Sequence, residues 1–383
     1  MGKPVLVVGG GIAGLTAALE AAEAGREAIL IEKESFLGGR VAHMRHYFPK
    51  LCPPSCGLEI NFKRLKANPR VTVITRANLE KVAGTPGDFD VTVRIAPRYV
   101  TPSCTACGDC VPACPSGALK VPAPVAYPAR YAIGRERCGK DCDACAKACK
   151  YAAIDLDEKE EVRTYNVGAV IAATGWKPYD ASRLNLGFGK FPNVVTNVMV
   201  DEAAAAGAVV RPSDGRAPKT VAFAQCAGSR DENHLPYCST VCCAATLKQS
   251  TYFEGAKVAV FYIDVRTMGR LEDFYNRVGP NVELVKGKVG KVEEDPQTHD
   301  LLVTAEDVMG GKKITRRVEM LVLATGVAPQ AEGLPAEFPR GEFGFLESGA
   351  GLIAAGCAHR PGEVSASTGS ATAAVLKAMR WAK

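Results

Sequence analysis

No stretch of this 383-residue chain reaches the roughly 18 consecutive apolar residues of a membrane span. No transmembrane segment is therefore expected. Met1-Gly2-Lys3-Pro4 runs straight into Val5-Leu6-Val7-Val8 rather than into a signal-peptide core. A cytoplasmic location is expected, with peripheral membrane association only through partner subunits. Basic runs are lacking too. The chain has 47 Lys and Arg against 41 Asp and Glu, a formal net charge of only +6. Without an RNA-recognition, helix-turn-helix or zinc-finger signature, nucleic acid is not an expected partner. Histidine is scarce, with five in all. His43, His46, His234 and His359 lie nearest the motifs below, and none is assigned a catalytic role. The chain does not lack apolar residues: 47% are hydrophobic and 23% charged, which suits a globular protein of two or three domains.

Cysteine is abundant. There are 15, and in a cytosolic chain such thiols point to metal binding or catalysis rather than to disulfides.

The first motif is a glycine turn. After the buried strand 5–8 comes Gly9-Gly10-Gly11-Ile12-Ala13-Gly14, a G-x-G-x-x-G, and then Leu15-Thr16-Ala17-Ala18-Leu19 at helical spacing. Gly9 allows a tight turn, Gly11 opens the backbone to a pyrophosphate, and Gly14 lets the helix pack on the strand. A second strand, Glu27-Ala28-Ile29-Leu30-Ile31, ends in Glu32, placed to accept ribose hydroxyls. Lys33 through Gly38-Gly39-Arg40 resembles the E-K…G-G-R run of FAD enzymes in the glutathione-reductase-like superfamily, where Gly-Gly-Arg lies along the FAD diphosphate. Ala173-Thr174-Gly175 and Ala324-Thr325-Gly326 both resemble that superfamily's A-T-G turn ending a strand near the flavin. The run 351–357, through Gly356 and Cys357, resembles its last FAD strand, with Cys357 in place of the usual Asp. FAD is the expected cofactor, and NAD at this site is the weaker alternative. Cys52 and Cys56 lie broadly where disulfide reductases of the superfamily carry their redox pair. They are the candidate catalytic thiols; a sulfur-accepting site and a structural role fit as well.

Between Tyr99 and Asp157 the composition changes. Cys104, Cys107, Cys110 and Cys114 form the C-x2-C-x2-C-x3-C-P run of bacterial ferredoxins. Cys138, Cys142, Cys145 and Cys149 repeat it, with a longer first gap and Lys150 in place of the proline. In two-cluster ferredoxins each motif's last cysteine serves the other cluster. That resemblance puts Cys104, Cys107, Cys110 and Cys149 on one [4Fe–4S] cluster, and Cys138, Cys142, Cys145 and Cys114 on the other. Zinc is the competing occupant, since four thiolates suit it too. The segment 121–128 between the motifs is proline-rich and reads as extended. Both a hinge and a close dock against the flavin fit the insertion.

A second strand–helix–strand pattern runs from Thr220 to Val289. In a protein with two dinucleotide-binding domains its first turn would carry a second glycine fingerprint. Only Gly228-Ser229 remains there. Cys226, Cys238, Cys242 and Cys243 lie on and beside the turn instead.

This C-x11-C-x3-C-C with Pro236-Tyr237 resembles the A-type flavin subunit of heterodisulfide reductases. It equally resembles the related subunit of quinone-interacting membrane-bound oxidoreductases and of bacterial sulfur-oxidising heterodisulfide-reductase-like complexes. The likeness covers essentially the whole chain. It implies a third, non-standard [4Fe–4S] cluster on these four cysteines. The expected fold is α/β, a two-dinucleotide-binding-domain flavoprotein of the glutathione/thioredoxin reductase type with an inserted ferredoxin-like iron–sulfur domain. The expected segments are 1–96, 158–212 and 318–383 for the FAD-binding domain, 97–157 for the insertion and 213–317 for the NAD(P)-domain-like module. The implied function is electron transfer between FAD and [4Fe–4S] clusters in a multi-subunit complex of dissimilatory sulfur metabolism. The candidate partners include a membrane quinone-reactive subunit. A self-contained NAD(P)H-dependent disulfide reductase and a zinc-stabilised, non-enzymatic scaffold are the rival readings.

Overall fold

The computed structural model describes residues 2–122, 125–139, 141–267 and 269–383. Ala123 and Pro124 of the proline-rich segment and Lys140 of the second cysteine motif lie outside the described residues.

Five parallel strands form the first sheet, in the order Leu352–Ala354, Ala169–Ala172, Val5–Val8, Ala28–Glu32, Val71–Thr75. Their near-continuous apolar runs suit a sheet covered on both faces. Side chains alternate across it. Val5, Val7 and Leu30 point into a core shared with the helices Ile12–Glu23 and Val364–Met379. Leu6, Val8 and Ile31 point into a second core. That core is closed by an antiparallel sheet of Ala77–Thr85, Asp88–Ile95 and Glu161–Val167.

The second unit repeats this plan. Its parallel sheet runs Val194–Thr196, Met320–Thr325, Thr220–Ala227, Lys257–Tyr262, Glu283–Lys286. A three-stranded antiparallel sheet, Val289–Glu294, Leu301–Asp307 and Lys312–Val318, packs beside it. A two-stranded link, Trp176–Pro178 with Val327–Pro329, carries the chain out to this unit and back.

The pairing corrects the expected boundaries at 212 and 317. Val194–Thr196 and Met320–Thr325 are hydrogen-bonded into the second sheet, not the first. Both are short apolar runs, and nothing in such a run states which of two parallel sheets it joins.

The insertion leaves after Ile95 and returns at Glu161. It has a small core of its own around Val100, Cys110, Tyr131 and Cys145. It is docked rather than hinged. Buried Arg98 donates to the Arg130 and Tyr131 carbonyls at 3.2 and 3.1 Å within the insertion. It also donates to the Ser35 carbonyl and, at 2.7 Å, to Thr75 Oγ1 of the flavin unit. Burial lowers its pKa to about 10. Arg98→Met would leave these acceptors without a donor. We expect a loss of about 2–4 kcal/mol, read as earlier denaturant unfolding, with proteolysis concentrated in segment 97–157.

Among the described residues, no helix is long and apolar enough to cross a membrane.

Candidate functional site

The glycine fingerprint is built as its spacing requires. Gly9 has φ +104°, and a Cβ there would lie 2.5 Å from the Ala173 carbonyl oxygen. A Cβ on Gly14 would lie 1.7 Å from Gly9 O, so only glycine lets the helix Ile12–Glu23 pack so closely. Gly11 differs. Its nearest neighbour to a Cβ would be the Gly39 Cα at 3.8 Å, so the space beside it is open at the N-cap of the helix. Such an open backbone at a helix N-terminus suits a diphosphate.

The Gly38-Gly39 loop backs onto this turn, and Gly38 N–H donates to the Gly10 carbonyl at 2.8 Å. The carboxylate of Glu32 is buried and accepts the N–H groups of Gly10 at 2.5 Å and Glu34 at 2.8 Å. Burial raises its pKa, against the lowering effect of these two donors. Each oxygen keeps a lone pair for a ribose hydroxyl. Thr174 Oγ1 is buried with no hydrogen-bond partner, beside Gly9. An orphaned hydroxyl against a glycine turn is a fit for a bound cofactor.

Other expected cofactor residues sit as follows. Gly175 takes φ +77°, and Lys33 is exposed. The Arg40 guanidinium lies 4.6 Å from the Trp176 ring centroid, and its Nε donates to the Trp176 carbonyl at 2.8 Å. Arg40 therefore ties the glycine loop to the two-stranded link. Gly356 opens the short turn just after the last strand of the flavin sheet, with φ +61°. Cys357 is buried, with its thiol 3.2 Å from Gly362 O and 3.6 Å from Ser367 Oγ. It is thus engaged by the start of the helix Val364–Met379.

The second A-T-G lies in the other unit. Thr325 ends the strand Met320–Thr325 of the second sheet, and its hydroxyl donates to Asn197 Oδ1 at 2.8 Å. Gly326 faces Ser229 and Ser239 of the four-cysteine segment. The same tripeptide ends a strand in each parallel sheet, and its letters cannot tell the sheets apart. Cys52 is half-buried in a loop, and Cys56 is exposed in the first turn of the helix Ser55–Ala67. Both are free thiols.

In the insertion, Cys104, Cys107, Cys110 and Cys149 all line one small cavity of about 20 Å³ beside Tyr131 and Ile154. These are the crossed set expected from the ferredoxin pattern. Burial raises the Cys110 thiol to about 11, and Cys104, Cys149 and Cys107 add to the rise. Burial likewise raises Cys145, with Cys114 and Cys138 as its neighbouring thiols. The Cys142 carbonyl accepts from Arg135 at 2.7 Å. Among the described residues, no three His, Cys, Asp or Glu side chains form a group fit for a single metal ion.

The other four cysteines meet at the carboxyl end of the second sheet. The strand Thr220–Ala227 shifts register between Ala224 and Ala227, and Cys226 within that irregularity takes φ +56°. Cys242 and Cys243 open the helix Cys242–Ser250. Cys226, Cys242 and Cys243 are buried. Burial raises the pKa of each, and neighbouring thiols of the set raise it further. Arg230 lowers Cys226 and Cys243, and Arg266 also lowers Cys243. Motif reading overlooked both arginines, although Arg230 lies inside the cysteine run.

The local turn at Cys238 repeats the one at Cys104. Thr240 N–H donates to Cys238 Sγ at 3.3 Å, and Ala106 N–H to Cys104 Sγ at 3.4 Å. Both donors have positive φ, +65° and +57°, an uncommon conformation for a residue with a side chain. Backbone N–H groups aimed at sulfur are among the devices that tune iron–sulfur sites.

Gly228 is the remnant of the missing fingerprint, and its space is filled. A Cβ on it would lie 2.4 Å from the Tyr179 ring. Tyr179 is itself held by His234, whose Nδ1 is 2.7 Å from the phenol oxygen. Tyr179 belongs to no motif, so nothing in the sequence announced it. A cleft of about 280 Å³ does lie beside Cys226 and Gly228. Its backbone entrance nevertheless differs from the open turn at Gly11.

Comparison with known proteins accords with this geometry. Residues 4–52 match the family described as FAD dependent oxidoreductase, and residues 103–153 match the 4Fe-4S dicluster domain. The dicluster match displaces the zinc reading of the insertion. The chain is 34% identical over 361 residues to the A-type iron-sulfur subunit of the CoB–CoM heterodisulfide reductase of Methanocaldococcus jannaschii, covering 86% of this chain and 54% of that protein. It is 33% identical over 376 residues to the A-type subunit of the H2:CoB-CoM heterodisulfide,ferredoxin reductase of Methanothermobacter marburgensis, covering 91% and 56%. The chain thus spans about half the length of the curated relatives it matches. Among solved structures, the thioredoxin reductase of Lactococcus lactis gives a TM-score of 0.58 at 12% identity, over 99% of both chains. That of T. acidophilum gives 0.57 at 14%, over 99% and 98%. These two establish the fold alone. With the fold, the glycine turn and the dicluster segment in one chain, the protein is a flavoprotein with FAD and [4Fe–4S] segments that is similar over most of its length to the A-type heterodisulfide reductase subunits.

Proposed function

We propose that the chain is an electron-transfer subunit of a heterodisulfide-reductase-like complex, holding one FAD, two clusters in the insertion and a third on Cys226, Cys238, Cys242 and Cys243. The observation that carries the third site is the turn after Thr220–Ala227. There four thiols gather, three of them buried, while Tyr179 fills the space at Gly228. Bound FAD can accept two electrons and release them one at a time, and each [4Fe–4S] cluster carries one.

The chain's own residues do three things in this reading. Gly9, Gly11 and Gly14 hold the turn that receives the diphosphate, and Glu32 accepts the ribose. Burial around Cys226 and Cys242 keeps water out, and Arg230 and Arg266 offset the negative charge of thiolate ligands. Arg98 fixes the insertion to the flavin unit, so that one-electron carriers stand at a set place relative to the flavin. A soluble cytoplasmic assembly, a quinone-interacting one with a membrane quinone-reactive subunit, and a sulfur-oxidising one would all use this protein. We take the quinone-interacting assembly of dissimilatory sulfur metabolism as the first of these to test.

A mixing experiment without oxygen tests the reading. NADH or NADPH at large excess should leave the flavin absorbance unchanged over minutes, whereas a reduced viologen, a one-electron donor, should bleach it promptly. Rapid bleaching by NADPH would instead favour a self-contained disulfide reductase using Cys52 and Cys56.

A further inference from the structure

A buried ion pair in the second unit has no part in the sites described so far. Lys248, on the helix that Cys242 and Cys243 open, is 2% exposed. Its ammonium group donates to Asp201 Oδ2 at 2.7 Å and to Oδ1 at 3.0 Å. Asp201, on the helix Asn197–Ala206, collects further donors: Gln249 Nε2 at 2.9 Å, Tyr252 Oη at 3.1 Å and the backbone N–H of Arg45 at 3.3 Å.

One of these contacts crosses between the units, and a second joins it. Arg45 belongs to the loop that follows the glycine loop of the flavin unit, and Lys248 also donates to the His46 carbonyl there at 3.1 Å. The same loop is clamped further along. Arg45 Nη1 donates to the Ala204 carbonyl and Arg277 Nη2 to the Pro49 carbonyl, each at 2.7 Å. Phe48 and Leu51 pack on Leu247, Phe274 and Val278 of the second unit.

On its other side the network reaches the thiols. Gln249 Nε2 donates to the Asn197 carbonyl at 2.7 Å, and Asn197 Oδ1 accepts the Thr325 hydroxyl at 2.8 Å. The Cys242 thiol points at the Thr325 carbonyl at 3.9 Å.

We propose that Asp201 and Lys248 are positioning residues that lock the helix bearing Cys242 and Cys243 onto the 45–51 loop of the flavin unit. Two units joined by a two-stranded link would otherwise be expected to move relative to each other. Exposed ion pairs are poor fasteners, since water competes for them. Here the Lys248 side chain is 2% exposed and that of Asp201 13%, so water competes little and losing one member strands a charge. The lock itself is a matter of contacts within the chain. Its purpose, a fixed spacing between flavin and thiol site for electron transfer, rests on the function proposed above.

Amide hydrogen exchange on the full chain, purified without oxygen with its cofactors, tests the lock. The variant D201L/K248M removes both charges and so leaves neither stranded. D201N keeps an acceptor oxygen and loses only the charge. In D201L/K248M the amides of segments 45–51 and 242–250 should exchange about tenfold faster, with a smaller change in D201N. The helix Ile12–Glu23 and the strand Leu301–Asp307 should be unchanged. Unaltered exchange at 45–51 would overturn the proposal. So would equal acceleration everywhere, which marks a contribution to global stability alone. A wild-type chain with no iron beyond that of the insertion would overturn the function proposed above, yet exchange at 45–51 would still decide the lock.

Discussion

Replacing Cys242 with alanine should lower the iron content from about twelve to about eight per flavin, on a count of four irons per cubane. The flavin should stay. Cys242 is buried among Cys226, Cys238 and Cys243, at the first residue of a helix whose far end carries Lys248. A buried free cysteine behaves as a small hydrophobe, so alanine there leaves the fold standing while a cluster loses one of its four ligands. Cys110→Ala should also remove iron, but from the cavity shared with Cys104, Cys107 and Cys149. Cys52→Ala should remove none. Iron and acid-labile sulfide, counted against flavin after purification without oxygen, read all three. An unchanged count in Cys242→Ala would remove the third cluster from the account.

The second large effect separates two glycines of one motif. Gly14→Val should fail to give a folded flavoprotein, because even its Cβ would fall 1.7 Å from Gly9 O. The helix Ile12–Glu23 would have to leave the strand Val5–Val8, and with it a core in which Leu15 and Leu19 are fully buried. Gly11→Ala should behave otherwise. Its Cβ meets nothing nearer than 3.8 Å in the protein, so the apoprotein should fold with an ordinary melting transition. The methyl would instead project into the space kept for the diphosphate, weakening FAD binding roughly ten- to a hundredfold. Circular dichroism and flavin titration on the two variants check this. If Gly11→Ala kept wild-type affinity, the open backbone at residue 11 would not be the diphosphate site.

Much of this was legible in the sequence because the features are local. Gly9, Gly11 and Gly14 mark a turn whose steric demand lies within a few residues. The two cysteine runs announce themselves by spacing, and the cavity lined by Cys104, Cys107, Cys110 and Cys149 holds the set that the resemblance to two-cluster ferredoxins implies. The two strand–helix repeats announced parallel α/β units, and the resemblance to glutathione-reductase-like flavoproteins supplied the rest of the fold class. What escaped is non-local. Thr325-Gly326 repeats the letters of Thr174-Gly175, yet ends a strand of the other sheet. Val194–Thr196 could have joined either sheet until its partner was known. Tyr179 reaches Gly228 across a long stretch of chain. Asp201 and Lys248 meet the loop at Arg45 and His46 from three separate segments. No periodicity or motif joins such residues; only the packed fold does.

The turn at Cys238 bears most closely on the central claim. It uses the same i to i+2 backbone donor as Cys104, with the same left-handed residue, although the two lie in different units and share no surrounding motif. One local conformation has thus been built twice around a thiol, once in a ferredoxin-type run and once where a nicotinamide fingerprint would stand.

Anomalous scattering at the iron edge, from crystals of the full chain grown without oxygen and soaked with NADPH, addresses this most directly. The account predicts an iron peak enclosed by Cys226, Cys238, Cys242 and Cys243, and no nucleotide against Gly228. NADPH bound beside Gly228 with the Tyr179 ring displaced, and no iron among those four thiols, would contradict it.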